Sequence, residues 1–393
     1  MAFEHYIRSG TQSMRCGFTT GTAAALATCG ASSLLLLGHV PDTLRCVTPK
    51  GLEVDVEPLR SWKAGEAACC SVVKDAGDDI DVTDGLEIVA TVCRASKPGV
   101  EITGGEGVGR VTLPGLDQKV GAPAINRVPR QMIEREAAQV AQKAGYTGGL
   151  RIEISIPGGE LAAERTFNPN LGIVGGLSVL GTSGIVEPMS QRALIDTIEL
   201  EIQQAYELGY RDLVLVPGNY GADYLASSDL DLTAATQVRC SNFIGDALDA
   251  AGAVGFERVL LVGHMGKLVK VAGGIMNTHS RIADCRLELM CAHAAAAGAD
   301  AALIRSILTA RTTDAALTLL QDADLAAAVL ARLMNAIQMH LDRRVGDAYR
   351  VGALMFSNVY GTLGSTAQAE SIISDIQAKS RICLLYTSPS PRD

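Results

Sequence analysis

Apolar residues follow a short period in the first part of this chain. They alternate with polar residues over 44–57 around Pro49-Lys50-Gly51, and short apolar runs end at Lys74 and cover 86–94. Alternation with period two predicts a hairpin and further strands. Helical spacing over 132–144 predicts a helix that ends at Gly145. We therefore expect a mixed α+β domain over 1–148.

The second part of the chain has continuous apolar runs instead. Leu194, Ile198, Ile202 and Ala205 recur at helical spacing, which predicts an amphipathic helix. Short apolar runs alternate with such helical stretches, which indicates a parallel sheet covered on both faces. We expect a Rossmann-like domain over 149–381. The predicted strands are 150–157, 213–217, 259–262 and 351–356. Long alanine-rich helices fill 285–342, and a glycine-bearing helix is predicted after 357–358.

Parallel sheets bind ligands at the carboxyl ends of their strands. Polar or glycine-bearing loops follow three of the predicted strands, at 217–221, 263–267 and 357–358. Because these ends meet at one edge, we expect a ligand site there.

Residues 17–38 carry no charge and are long enough to span a membrane. Threonine, serine and alanine dilute the stretch, and it lacks the layout of a signal peptide. We expect a buried helix over 23–37.

The composition of the chain limits the classes of function that are compatible with it. The chain is 48% hydrophobic with a net charge of -9 and no basic run, which argues against nucleic-acid binding. The ten cysteines form no CxxC pair, so we expect reduced cysteines in a cytoplasmic protein. Residues 382–393 lack periodicity, and we expect them to be a non-native tail.

The stretch from 168 to 190 is rich in glycine, and it has two interpretations. Its glycines and Thr182 form either a cofactor-binding loop or a tight corner without a ligand. The turn at 17–22, which contains Thr19 and Thr20, opens a helix; it either binds an anion or caps that helix. The candidate glycines are Gly175, Gly176 and Gly181.

Acidic residues crowd the turn that follows Lys74. Asp75 and Asp78 either bind a ligand amine or perform acid–base chemistry, or they belong to a solvated turn. Arg127 and Arg130 are candidates to bind ligand carboxylates.

Basic and polar side chains concentrate between 262 and 286. Lys267 and Lys270 are three residues apart, so they share a helical face that suits a polyanionic ligand. His264 and His279 are candidate bases, and Arg281 adds a cation. No tight ligand spacing such as HExxH occurs, so we expect no protein-bound metal.

With these motifs in view, the chain resembles the CbiD family of cobalt-precorrin-5B C(1)-methyltransferases from about residue 15 to residue 363. The resemblance rests on long strings. They are GFTTGT (17–22), VVKDAGDD (72–79), GGEGVG (104–109), GAPAINRVPR (121–130), TFNPNLGIVGGLSVLGTSGIVEPMS (166–190), LVPGNYG (215–221), CSNFIGDALD (240–249) and VGHMGKLVK with GIMNTHSR (262–281).

The resemblance implies methylation of ring carbon 1 of a cobalt-containing tetrapyrrole by S-adenosylmethionine, with cobalt in the substrate. It gives cobalt-precorrin-6A in anaerobic cobalamin biosynthesis. We hypothesise that Asp75 and Asp78 hold the amine of the methyl donor and that glycine-loop amides bind its carboxylate. His264 completes the candidate catalytic set. The glycine loops named above bind the donor together with Gly218, Asn219 and Asn242. The acidic substrate requires local cations and hydroxyls. These are Thr19, Thr20, Arg127, Arg130, Lys267, Lys270, His279 and Arg281.

The main alternative within the same pathway is a tetrapyrrole carrier without catalysis. A nicotinamide-dependent oxidoreductase is disfavoured, because this chain lacks the strand–GxGxxG–helix unit that such an enzyme requires. We expect no membrane partner. A homo-oligomer and transient contacts with neighbouring pathway enzymes stay open.

Overall fold

The computed structural model describes residues 3–9, 11–169 and 171–387. It divides into two compact units, Met1–Gln191 and Arg192–Asp393. The sequence pattern instead predicts a boundary at 148/149. The difference arises because residues 149–155 form a strand that pairs inside the sheet of the first unit.

The first unit combines short strands with two long helices. In chain order its elements are β1 (Tyr6–Ser9), β2 (Gln12–Arg15), β3 (Gly17–Phe18), α1 (Thr20–Leu36), β4 (Leu44–Val47), β5 (Glu53–Val56), β6 (Arg60–Ala64), β7 (Ala67–Val73), β8 (Glu87–Ala95), β9 (Val100–Gly104), β10 (Arg110–Val111), α2 (Arg127–Lys143), β11 (Gly149–Ser155), α3 (Gly159–Ala163), β12 (Ile173–Val174) and β13 (Ile185–Val186).

A five-stranded sheet in the order β6-β7-β8-β11-β9 organises this unit. It is mixed, because β11 runs antiparallel to β8 and parallel to β9. The uncharged helix α1 packs on β7, β8 and α2, and most of its residues are buried. The expected buried helix is therefore confirmed, as is the hairpin β4–β5. Among the described residues, no helix has the length and apolar character that crossing a membrane requires.

The second unit alternates strands and helices. Its elements are α4 (Gln191–Glu207), β14 (Asp212–Val216), α5 (Asn219–Ser227), β15 (Thr236–Arg239), α6 (Ile244–Val254), β16 (Arg258–His264), α7 (Met265–Ala272), α8 (Arg286–Ala296), α9 (Ala301–Leu308), α10 (Thr313–Asp322), α11 (Ala326–Val345), β17 (Arg350–Ser357), β18 (Gly361–Ser365) and α12 (Ala367–Thr387).

Its sheet has the order β15-β14-β16-β17-β18. The first four strands are parallel and β18 is antiparallel. Both faces are covered, since alternate residues of β14 enter two separate cores: Leu213 and Leu215 enter one, Val214 and Val216 the other. The chain is thus a mixed α/β protein with two units and mixed sheets.

Of two predictions about the end of the chain, one is wrong and the other falls partly outside the described residues. The glycine-bearing segment after β17 was predicted to be helical, but it forms the antiparallel edge strand β18 before α12 begins. Of the predicted non-native tail, residues 382–387 continue α12 and 388–393 lie outside the described residues.

Candidate active site

The glycine–threonine turn of the first unit is tied to the loop at 180–184. Thr19 is the N-cap of α1, and the amides of Thr19 and Gly21 donate to the carbonyl oxygens of Gly184 (3.0 Å) and Leu180 (2.9 Å). The Thr20 hydroxyl exchanges hydrogen bonds with the backbone of Leu180 at 3.2–3.3 Å. These groups therefore have internal partners, as capping requires. The role of Thr19 and Thr20 in substrate binding stays a prediction.

The glycines at 175–181 occupy contrasting surroundings. A Cβ atom at Gly176 would lie 2.5 Å from the Gly107 carbonyl carbon, and one at Gly181 would clash with Thr19. Gly175 has a φ of +77° and open space around its Cα. Thr182 is exposed. Close contact therefore explains both glycines without a ligand, with backbone at Gly176 and with the Thr19 side chain at Gly181. Gly175 and Thr182 remain accessible.

Arg15 binds both of the predicted catalytic aspartates. Its guanidinium donates to the Asp75 carboxylate at 2.5 and 2.8 Å, and its amide donates to Asp78 Oδ2 at 2.6 Å. Burial would raise the pKa of Asp75, but the hydrogen bonds from Arg15 and Gly77 outweigh it and lower that pKa. Asp75 is thus an ionised, fully engaged carboxylate. Its role toward a donor amine stays a prediction.

The two candidate arginines of the first unit, Arg127 and Arg130, differ in availability. Arg130 donates to the Ile125 carbonyl oxygen at 2.9 Å, and burial lowers its pKa. Arg127 is exposed at the start of α2. Arg127 is therefore the better placed of the two to meet a carboxylate from solution.

A cleft of ≈ 450 Å³ also lies in the first unit, beside α2 and the hairpin β4–β5. Cys46, Arg135 and the buried Glu136 line it, together with Cys29 of α1. None of the residues predicted for the site lies in its wall.

In the second unit, the polar loops after β14, β16 and β17 follow neighbouring parallel strands. The prediction that these three ends share one edge is therefore confirmed. β15 and β16 flank β14, so the chain reverses direction across the sheet between β14 and β16. Open α/β sheets bind ligands at such a reversal. Gly218-Asn219 follows β14 there, and His264 ends β16.

His264 lies at this reversal as the N-cap of α7. Its Nδ1 accepts a hydrogen bond from the Gly266 amide at 3.1 Å. Burial lowers its pKa, although the charge of Asp314 opposes the shift. A neutral imidazole whose Nδ1 accepts must carry its proton on Nε2. His264 therefore offers an N–H donor beside the ring of Tyr220, 6.0 Å away between centroids.

Asn242 connects three elements of the same edge. Its Oδ1 accepts from Lys267 Nζ at 2.6 Å and from the Thr278 hydroxyl at 3.2 Å. Lys267 Nζ also donates to the Ser241 carbonyl oxygen at 3.2 Å, and burial lowers the pKa of Lys267. A Cβ atom at Gly218 would lie 3.9 Å from the same Nζ. Gly218, Asn242 and Lys267 thus form one cluster at the sheet edge.

The remaining predicted cations of this unit are arranged differently. Lys270 is 3% exposed, donates to the Thr278 carbonyl oxygen at 3.0 Å, and has its pKa lowered by burial. The expected face of two ligand-binding lysines is therefore not open in this structure. His279 Nδ1 accepts from the Arg281 amide at 3.1 Å, and the Arg281 side chain is exposed.

The sequence analysis missed Arg15 and Asp314, the charged groups that act on Asp75 and His264. Arg15 lies two residues before the glycine–threonine turn, but its partner lies 60 residues away. Asp314 belongs to α10 and accepts from the Ser357 hydroxyl at 2.6 Å. No local pattern marks either contact, because each depends on the tertiary fold. Within the described residues, no group of three or more metal-ligating side chains is positioned to bind an ion.

Comparison with known proteins decides the family. A family model described as CbiD matches residues 7–188, and a model described as CbiD, C-terminal domain, matches residues 277–367. A cobalt-precorrin-5B C(1)-methyltransferase of Ruminiclostridium cellulolyticum is 44% identical over 91% of this chain and 92% of its own length. The chain belongs to the CbiD family.

A second curated relative agrees, and one solved structure is also similar. A cobalt-precorrin-5B C(1)-methyltransferase of Alkaliphilus metalliredigens is 40% identical over 96% of this chain and 98% of its own length. A crystal structure of the cobalamin biosynthesis protein CbiD from Archaeoglobus fulgidus matches with 27% identity and a TM-score of 0.38. It covers 70% of this chain and 86% of that chain.

Proposed function

We propose that this chain methylates ring carbon 1 of cobalt-precorrin-5B with S-adenosylmethionine and gives cobalt-precorrin-6A. The observation that carries the proposal is the 44% identity, over nearly the full length of both chains, to a relative with the corresponding name. An electron pair of the macrocycle forms the new carbon–carbon bond, and the carbon–sulfur bond breaks with its electrons to sulfur. S-adenosylhomocysteine leaves, and the methylated macrocycle releases a proton to solvent, which balances the charge. The cobalt belongs to the substrate.

The donor site is the carboxyl edge of the second unit, between β14 and β16, and this sheet is Rossmann-like. Three features support the assignment: the reversal of strand order, the glycine turn at Gly218, and the donor groups of Asn242 and His264. Methyl transfer needs alignment and exclusion of water rather than a protein nucleophile. A neutral His264 serves it as a hydrogen-bond donor, not as a base.

Exposed cations bind the acidic side groups of the macrocycle. The chain carries a net charge of -9, so recognition of an acidic substrate depends on local positive charge. Arg127 and Arg281 are exposed in their respective units and suit carboxylates. A cytoplasmic location, a homo-oligomer and transient contacts with neighbouring enzymes belong to the same proposal.

The test follows the mass of the tetrapyrrole. The full chain is mixed with S-adenosylmethionine labelled on the methyl group and with cobalt-precorrin-5B. We expect a gain of one labelled methyl group, located at ring carbon 1. Binding of both compounds without transfer would instead support the carrier, and transfer to another ring carbon would overturn the assigned position.

A further inference from the structure

The amide group of Asn242 has its orientation fixed by chemistry. The Lys267 ammonium has only donors, and it lies 2.6 Å from one terminal atom of this side chain. That atom must be the oxygen. The Thr278 hydroxyl binds the same oxygen at 3.2 Å. The other terminal atom is therefore the NH₂ group.

This NH₂ group is open toward solvent. It offers two N–H donors, and the Asn242 side chain is half-buried. It is not among the buried unpartnered polar atoms of the described residues. The backbone around it is also constrained: Thr278 donates its amide to the Asn242 carbonyl oxygen at 2.9 Å, and Ser241 has a φ of +51°. A non-glycine residue in this region marks a position held by its surroundings.

The positive charge of Lys267 determines which kind of ligand group the Asn242 NH₂ group binds. The Lys267 ammonium favours an anionic group over a cationic one. S-adenosylmethionine has one anionic group, the carboxylate of its methionine part, and its sulfonium and amine are both cationic. The carboxylate is therefore the part of S-adenosylmethionine that suits the position beside Lys267.

We propose that Asn242 is a specificity-determining residue whose NH₂ group binds the carboxylate of the methyl donor, and that Lys267 is the positioning residue that orients it. This inference rests on the proposed function, because it assumes that S-adenosylmethionine binds at this edge.

The test is Asn242→Asp, which keeps the acceptor for Lys267 and replaces the donor NH₂ by an oxygen. Titration calorimetry measures the affinity for S-adenosylhomocysteine and for its decarboxylated analogue. Because a hydrogen bond to a charged group is lost, we expect Asn242→Asp to weaken S-adenosylhomocysteine roughly 10- to 100-fold. The ratio between the two ligands should fall by the same factor. The control is Asn335→Asp on the exposed surface of α11, which makes the same charge change and should leave both affinities unchanged.

Lys267 is tested through the same ratio. Lys267→Met should lower this ratio, and Lys267→Arg should largely preserve it. In the Asn242→Ala background the loss caused by Lys267→Met should be smaller than in the unaltered chain, because only the direct effect of the charge remains. Additive losses would show that Lys267 acts independently of Asn242. An unchanged ratio in Asn242→Asp, or an equal loss for both ligands, would overturn the role of Asn242. Failure of the unaltered chain to bind S-adenosylhomocysteine at all would instead reject the proposed function.

Discussion

Gly175 and Gly176 are adjacent and should respond very differently to alanine. A Cβ atom at Gly176 would lie 2.5 Å from the carbonyl carbon of Gly107 and 2.8 Å from the amide nitrogen of Gly109. Both neighbours are backbone, so neither can rotate away. At Gly175 the same Cβ atom would meet nothing within 4 Å. Both glycines have a positive φ, +77° at Gly175 and +157° at Gly176, so the pair differs chiefly in the close packing that only Gly176 experiences.

The magnitude follows from the contacts that Gly176→Ala would disturb. Forcing a methyl group into packed surroundings costs typically about 1–3 kcal/mol. Moving the backbone apart would also weaken two hydrogen bonds, from Leu177 to Gly107 at 2.9 Å and from Gly109 to Leu177 at 2.8 Å. Each contributes roughly 0.5–1.5 kcal/mol. The expected loss is about 2–6 kcal/mol, against about 1–2 kcal/mol for Gly175→Ala at its φ of +77°.

Urea unfolding followed by tryptophan fluorescence measures this difference. The chain has one tryptophan, Trp62, which lies in β6 of the first unit. Its emission therefore reports on the unit that contains both glycines. The midpoint should shift much further for Gly176→Ala than for Gly175→Ala, with similar slopes. Equal shifts, or a larger one for Gly175→Ala, would refute the assignment of Gly176 to packing.

Three further predictions concern charged groups. Asp212 is 1% exposed and is bound by Arg258, so Asp212→Ala should lower the free energy of unfolding by about 3–5 kcal/mol, as measured by circular dichroism in urea. Asp249 is exposed, so Asp249→Ala should lower it by only about 0–1 kcal/mol. Equal losses for the two variants would contradict this prediction. Asp75 has a lowered folded-state pKa, so its contribution is present above about pH 3.8 and is lost as pH falls through the folded value. Asp75→Asn should therefore reduce the dependence of the free energy of unfolding on pH in the acid range. An unchanged pH dependence would refute the lowered pKa of Asp75. His264 should carry its proton on Nε2 at pH 7, by nitrogen-15 NMR; protonation of both ring nitrogens would contradict the lowered pKa.

Hydrophobic patterning was informative where a strand is buried on both faces. The run at 213–217 predicted β14 to within a residue, because all five residues of β14 are buried. It failed for β18, since Gly361–Ser365 has little apolar content and owes its conformation to pairing with β17. The strand β11 was predicted as an element but joins a different sheet, because pairing partners are not encoded locally.

The candidate site was predictable in position but not in detail. Loops after parallel strands share an edge by geometry, so His264 and Lys267 were expected near the loop at 217–221. The partners of their side chains were not predictable. Lys267 meets Asn242, 25 residues earlier, while Lys270 is turned into the protein toward Thr278. Spacing on a helix shows which residues share a face, but not whether that face meets solvent.

The pairing of β3 with β13 has a consequence for synthesis. Near this pairing, the Thr22 hydroxyl donates to the carbonyl oxygen of Gly184, which is 162 residues further along the chain. At 5–20 residues per second the ribosome needs roughly 10–30 s to supply that partner. During this interval α1 has its local Thr19 cap, but its first turn lacks its hydrogen-bond partners at 180 and 184, and the core around it is not closed. Truncated chains that stop before residue 180 should therefore bind chaperones or aggregate, and addition of the last glycine-rich segment should mark the moment at which the first unit becomes independent of them.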